Sequence, residues 1–501
     1  MGKAEQQVLF NPRFTFPDPD KISIMKILPL LLLLIFSPCT LGDGLPDLGD
    51  VSQAALNPMQ EREIGQQSMM QIKASKQFLN DPEINDYLNQ LGDRLVQFSN
   101  EPSLDFEFFA MNDYSVNAFA LPGGFVGVNA GLLLITENES ELASVLGHEI
   151  SHVTQHHLAR MVSATKGDTM ASMAAIALAI LAARSNPDVA QATVAGVQAH
   201  AMQKQLDFTR EHEQEADRLG LELMQKAGFD THAMPTFLER LQRSTRLIDG
   251  NAPNYMRTHP ITSDRIADIE NRVNKQPYRL LPDSLDFDLV RTKLIGSQKT
   301  ASDAISYFTD ALTTHRHGNP IAQQYGLVQA LLRDKQLDRA KLELAALLKQ
   351  AKDAQGAQNN AMIETLTGQV KRAANDPDTL SFYRTAVKNF PQHRALIYDY
   401  VDLLLNNNQA ETAVKLLTDQ VTRHPTDTTL YDLQARSYNQ LHKPLEQHQA
   451  QAYSFAWQGN LPDAIQQLEL AKRSGGSFYQ LSIIESDLRE LRDMQNAQTK
   501  K

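Results

Sequence analysis

Cysteine, tryptophan and basic residues are all scarce in this chain, and each shortage excludes something. A single cysteine, Cys39, rules out a disulfide framework and a cysteine-ligated zinc site. Trp457 is the only tryptophan and aromatics make up 7% of the 501 residues, which disfavours an aromatic-rich β-sandwich. Lys and Arg number 48 against 59 Asp and Glu, a net charge of −11, so a general nucleic-acid binder is excluded for want of phosphate-contacting cations. No apolar run approaches the ~20 residues of a spanning helix. What is abundant is Ala, Leu and Gln, a composition that favours helices. The length exceeds what one hydrophobic core serves, so two domains are expected.

The first 42 residues read as a secretory signal peptide. Lys26 precedes the apolar run Ile27 to Phe36, and small residues follow at Thr40 and Gly42. Met25 stands where such a peptide should begin, so it is a candidate for the true start. The mature chain is then expected to be secreted, without cysteine.

Residues 43–285 carry mixed patterning. Glu63 to Ser75 and Pro82 to Gln97 read as helices, and three short β runs follow at Leu104 to Met111, Val116 to Leu121 and Phe125 to Val128. Asn112-Asp113 and Pro122-Gly123-Gly124 separate them as turns, so a small β-meander is predicted. A helix is predicted from near Thr136, capped with Glu139, to about Met161. Met170 to Ala183 is apolar and suits a buried helix or a lid over a cleft. Pro277 to Asp288 looks like a linker, and the connection between domains is assigned to 286–300. Residues 301–501 read as helix pairs. Phe390-Pro391 and His424-Pro425 lie 34 residues apart, the period of the tetratricopeptide repeat. Ala413 fits that repeat, and Leu337 to Ala340 and Gly459 to Ala464 look like further copies.

The chemistry concentrates in His148-Glu149-Ile150-Ser151-His152, which is H-E-x-x-H on a helix. Residues i and i+4 share a helix face, so His148 and His152 can direct nitrogens at one zinc ion. Glu149 can reach a water there without ligating the metal, and is the candidate general base. A third ligand is needed. His156 lies ~12 Å of helix from His148, too far to share the ion, and His156 and His157 are expected on the surface. Arg210 to Asp217 offers Glu213 as ligand, with Asp217 one turn on to accept the N–H of a ligating histidine; Glu211 and Glu215 are alternatives. His259, in Thr258-His259-Pro260, can donate to the oxyanion or occupy the open metal position.

These residues resemble the zinc metallopeptidase family that includes the CAAX prenyl protease and the bacterial heat-shock membrane protease HtpX. There an H-E-x-x-H helix is followed by E-x-x-x-D, matched here by His148, Glu149, His152, Glu213 and Asp217. Asn117 to Gly124 is similar to the family's strand and turn before the catalytic helix. The resemblance implies that this strand, with Asn117, Ala118, Phe119 and Gly124, pairs with an extended substrate. The overall layout is similar to the periplasmic, repeat-bearing branch of the family. That similarity implies a zinc metalloendopeptidase with one zinc ion per chain and a chaperone-like role. Its partners would be unfolded or stalled outer-membrane proteins, with the repeats contacting the outer-membrane barrel-assembly machinery. It also implies that His259 blocks the zinc. The expected fold class is mainly α: a zincin-type metalloprotease domain with a small β-meander, then an α-solenoid of tetratricopeptide repeats. The rival readings are a non-catalytic repeat chaperone or scaffold with a structural zinc, and an integral membrane protease of the same family.

Overall fold

The computed structural model describes residues 57–164, 199–246, 254–279, 281–314, 318–354 and 359–499. The expected signal peptide and the apolar stretch Met170 to Ala183 lie outside them. Among the described residues, no helix is long and apolar enough to cross a membrane.

Two capped helices open the fold. Helix α1 (Pro58–Ala74) starts at a capping box in which Asn57 and Gln60 satisfy each other's backbone N–H. Helix α2 (Pro82–Val96) starts at Asp81, whose carboxylate accepts from the Glu83 and Ile84 amides. The strands β1 (Glu107–Met111), β2 (Ala118–Leu121) and β3 (Phe125–Asn129) then form one sheet. Its order is β1-β3-β2, with β1 parallel to β3 and β2 antiparallel to it. This corrects the expected meander. Strand β3 is buried along its whole length and takes the central place, while β2 turns back onto it through Pro122-Gly123-Gly124. The outer edge of β1 is closed by side chains of α2: Asn85 Oδ1 accepts from Ala110 N, and Asn89 exchanges hydrogen bonds with both backbone groups of Phe108. Strand β2 keeps the other edge of the sheet.

Helix α3 (Ala130–Ile135) leads to α4 (Glu139–Thr154), the central helix of the domain, buried at every position except His152. Its cap is Asn138 rather than Thr136, because Thr136 already terminates α3 while the Asn138 side chain accepts from Glu141 N. It also ends earlier than expected. His156 takes a left-handed backbone, φ 49°, and a new helix α5 (His157–Ala164) departs. Helix α6 (Ala199–Ala227) crosses α4 at two glycines: a Cβ on Gly220 would sit 3.0 Å from His148 N, and one on Gly147 would sit 3.1 Å from Gly220 O. That close crossing brings residues of two distant segments to one place. Helices α7 (Ala233–Arg246), α8 (Asn254–Thr258) and α9 (Ser263–Val273) complete the domain.

The expected connection at 286–300 is instead largely helical. Helix α10 (Leu285–Ser297) buries Phe287, Leu289, Val290 and Leu294 in a core that runs without a break from Ile84 to Val370. It packs against α2 and α3 on one side and against α12 (Pro320–Arg333), which follows α11 (Ala301–Thr314), on the other. A helix packed on two sides is apolar on more than one face, so it lacks the stripe that marks a surface helix in sequence.

Beyond α10 the chain is a succession of helices packed on their neighbours, α12 being followed by α13 (Leu337–Asp353), α14 (Ala361–Ala373) and α15 (Thr379–Asn389). Helices α16 (Arg394–Asn406) and α18 (Thr428–Gln440) begin 34 residues apart, as do their partners α17 (Ala410–Arg423) and α19 (Pro444–Trp457). The residues closing α16 and α18, Asn408 and His442, repeat the same left-handed turn with φ 56° and 54°. Ala340, Ala413 and Ala464 each stand fourth in a helix, those opening at Leu337, Ala410 and Leu461, and are fully buried. This helical region is tied to α2 by charge. Arg394 bonds Asp86 at 2.6 Å and Asp427 at 2.8 Å, and His393 Nε2 lies 3.3 Å from Glu83.

Candidate metal centre

Four side chains from three separate segments meet beside the α4–α6 crossing. His148 and His152 project from α4 one turn apart, Glu213 comes from α6, and His259 follows α8. Their donor atoms all lie within 4.8 Å of one another. His148 Nε2 is 3.0 Å from His152 Nε2 and 3.2 Å from His259 Nδ1, and Glu213 Oε1 is 3.0 Å from His259 Nδ1. His148, Glu213 and His259 are buried, while His152 is partly open to solvent. An imidazole-and-carboxylate donor set without sulfur suits zinc and other first-row divalent ions.

Asp217, one turn beyond Glu213, bonds His148 Nδ1 at 3.0 Å, which leaves Nε2 facing the cluster. Sequence reasoning missed Arg265. Its guanidinium is buried and holds both carboxylates, Nε at 2.7 Å from Asp217 Oδ2 and Nη1 at 2.8 Å from Glu213 Oε2. Pro260 O, also 2.8 Å away, fixes the same Nη1 and links the clamp to the His259 loop. One signal was available: Arg265 shares a face of α9 with Ile269, at i and i+4, on an otherwise apolar stripe.

The electrostatics favour a cation here. Burial opposes charge on His148, but Asp217 and Glu213 outweigh it and raise the imidazole to about 10. Burial would raise Glu213, yet the three histidines hold it well below the usual carboxylate range. Burial is likewise overcome at Asp217 by His148 and Arg265. His152 goes the other way, its protonation discouraged first by burial. Glu149 stands apart from the donor set. It is buried beside the cluster, its Oε1 has no hydrogen-bond partner among the described residues, and His259 Nε2 at 3.3 Å is out of line for one. An orphaned carboxylate oxygen at that spot fits a base waiting for water.

The two histidines expected on the surface are not there. His156 is held between Glu61 at 2.9 Å and Glu101 at 3.2 Å. His157 is 4% exposed and touches His152, with Nδ1 to Nδ1 at 2.8 Å. Its other nitrogen lies 3.2 Å from Glu215 Oε2, which Arg160 also binds at 2.9 Å. Glu215, named as an alternative ligand, thus serves His157 instead.

Strand β2 is the sheet's edge strand on the side away from β1, and α4 packs against it. The end of β2 near Asn117 adjoins the cluster: Val116 O accepts from Tyr255 N, and the Tyr255 ring stacks on His259 at 4.8 Å. Asn117 is buried and its side-chain oxygen has no hydrogen-bond partner among the described residues. Ala118 is fully buried. The Phe119 ring turns into the core, edge-on to Phe109 and across Gly127. Gly124, at φ 93°, ends the hairpin and accepts from Glu107 N.

Peptidase family M48 matches residues 82–273. The putative beta-barrel assembly-enhancing protease of Vibrio cholerae is 32% identical over 453 residues, 88% of this chain and 92% of that protein. The beta-barrel assembly-enhancing protease of Escherichia coli (strain K12) is 31% identical over 433 residues, 86% of this chain and 87% of the other. The mitochondrial metalloendopeptidase OMA1 of Schizosaccharomyces pombe is 33% identical over 187 residues, 37% of this chain and 51% of that one.

Proposed function

We propose, from the premise that this chain belongs to peptidase family M48 and to its beta-barrel assembly-enhancing proteases, a role for it in the quality control of outer-membrane β-barrel proteins. The chain is a metalloprotease. We assign zinc as its metal, one ion per chain, with His148, His152 and Glu213 as ligands. The observation that carries this reading is the convergence of those donors around one point with Glu149 poised beside them and outside the set.

The residues divide the work as follows. His148 and His152 present Nε2, and Asp217 keeps the first of them in the required tautomer. Arg265 stops Glu213 and Asp217 from turning away. A zinc ion held there supplies Lewis acidity, which makes a water acidic and polarises the scissile carbonyl. Glu149 accepts the water's proton and returns it to the leaving amine. The substrate lies extended beside the edge strand β2, along Asn117, Ala118 and Phe119, with Gly124 ending the hairpin. His259 would help to hold the ion and so keep the resting enzyme latent. Its support is the 3.0 Å contact with Glu213, in a loop pinned by Tyr255 to the start of the substrate strand. Entry of a substrate strand must displace that loop.

The helix pairs from 301 onward are read as tetratricopeptide repeats. They would receive stalled or unfolded outer-membrane proteins and contact the barrel-assembly machinery. With residues 1–42 as a cleaved signal, the site of action is the periplasm. Casein degradation by the wild type and by Glu149→Gln tests the catalytic reading. The variant is expected to keep its zinc and lose about 100-fold or more of the activity. Equal degradation by both proteins refutes it and returns the non-catalytic scaffold to first place.

A further inference from the structure

We infer that His157 is the positioning residue for His152, fixing, through Glu215, the tautomer that leaves His152 Nε2 free for the metal ion. The inference rests on the metalloprotease reading of the same site and adds a residue to it.

A histidine that ligates through Nε2 carries its one proton on Nδ1, and that proton needs an acceptor. For His148 the acceptor is a carboxylate, Asp217. Among the described residues, His152 is given no carboxylate on that nitrogen. Its Nδ1 lies 2.8 Å from His157 Nδ1. Two imidazole nitrogens at that distance hold one proton between them. If His152 keeps it, His157 accepts and must carry its own proton on Nε2. That nitrogen is 3.2 Å from Glu215 Oε2, an atom that only accepts while Arg160 donates to it at 2.9 Å. Every proton then has one place. Reversing the chain would oblige His157 Nε2 to accept from an oxygen that has no proton to give.

The surroundings hold the relay still. His157 is 4% exposed, and its ring stacks on His212 at 4.1 Å with 9° between the planes. The left-handed turn at His156 is what brings His157 back under the catalytic helix instead of onward along it. The two metal-binding histidines are therefore supported unequally, one by a carboxylate directly and one through an intervening imidazole.

Zinc affinity measured by competition with a chromogenic chelator tests this on the full chain. His157→Phe keeps the bulk and the stacking but removes both nitrogens, and is expected to bind zinc about 10- to 100-fold more weakly. His157→Gln can accept from His152 and donate to Glu215, and is expected to recover most of that loss. Glu215→Ala, at a partly exposed position that does not disturb the core, is expected to lose about 10-fold. It decides the matter should His157→Phe not fold by circular dichroism. Unchanged affinity in His157→Phe, or a folded His157→Gln as weak as His157→Phe, overturns the inference. A wild-type chain that holds no zinc is a different result, and it defeats the metalloprotease reading itself.

Discussion

His156 offers a test in which sign and size follow from the structure. It sits at φ 49°, a conformation that disfavours a side chain, yet its imidazole bonds Glu61 at 2.9 Å and Glu101 at 3.2 Å. The Glu61 hydrogen bond leads, against burial, and raises the imidazole from 6.5 to about 9. A raised pKa stabilises the fold fully below 6.5, and the contribution is lost as pH climbs through about 9. That shift caps the contribution near 3 kcal/mol; with Glu101 partly exposed, about 2 kcal/mol at pH 7 is reasonable. His156→Gly removes the clamp and relieves about 1 kcal/mol of left-handed strain. The variant should therefore melt a few degrees below the wild type at pH 7 by calorimetry. At pH 10 the wild type has lost its charge too, and the deficit should vanish or reverse. An equal deficit at both pH values refutes the reasoning.

Arg265→Leu strands two buried carboxylates, and removal of one partner from such a group costs about 3–5 kcal/mol. The variant should melt lower and release zinc more readily, with added zinc restoring part of the stability; unchanged melting and zinc content would contradict the clamp. Gly220→Val forces a branched side chain against the His148 backbone, 3.0 Å from where its Cβ would stand, and is expected to cost about 2 kcal/mol and loosen the metal site. A neutral result in melting and zinc affinity would mean the helix crossing is slack. Arg394→Ala removes the cation that joins Asp86 to Asp427, so limited proteolysis should cut the helical region of the variant faster than that of the wild type. Identical digestion would show that α2 is not where the two halves are secured.

The parts of the site legible in sequence are those set by spacing within one helix. His148, Glu149 and His152 follow from the rise of a helix, and the pairing of Glu213 with Asp217 from the same geometry in a second helix. What escaped depends on tertiary placement. His157 is the second of two adjacent histidines, and only the backbone turn at His156 decides that one pairs with carboxylates and the other enters the site. Arg265 looks like a surface charge until α9 is seen to lay it against α6. The sheet order escaped because a β2–β3 hairpin does not say on which side β1 will lie. The helical pairs were readable because Phe390-Pro391 and His424-Pro425 mark a 34-residue period, which the left-handed turns at Asn408 and His442 repeat. Helix α10 was not, since burial on two sides erases its stripe.

The central claim is that His148, His152 and Glu213 hold one catalytic metal. Mass-spectrometric metal analysis tests it directly, on wild type and Glu213→Ala chains loaded with zinc and then dialysed against a mild chelator. The account predicts about one zinc per wild-type chain and almost none in the variant. A wild-type chain that retains no zinc, or a variant that retains as much as the wild type, contradicts it.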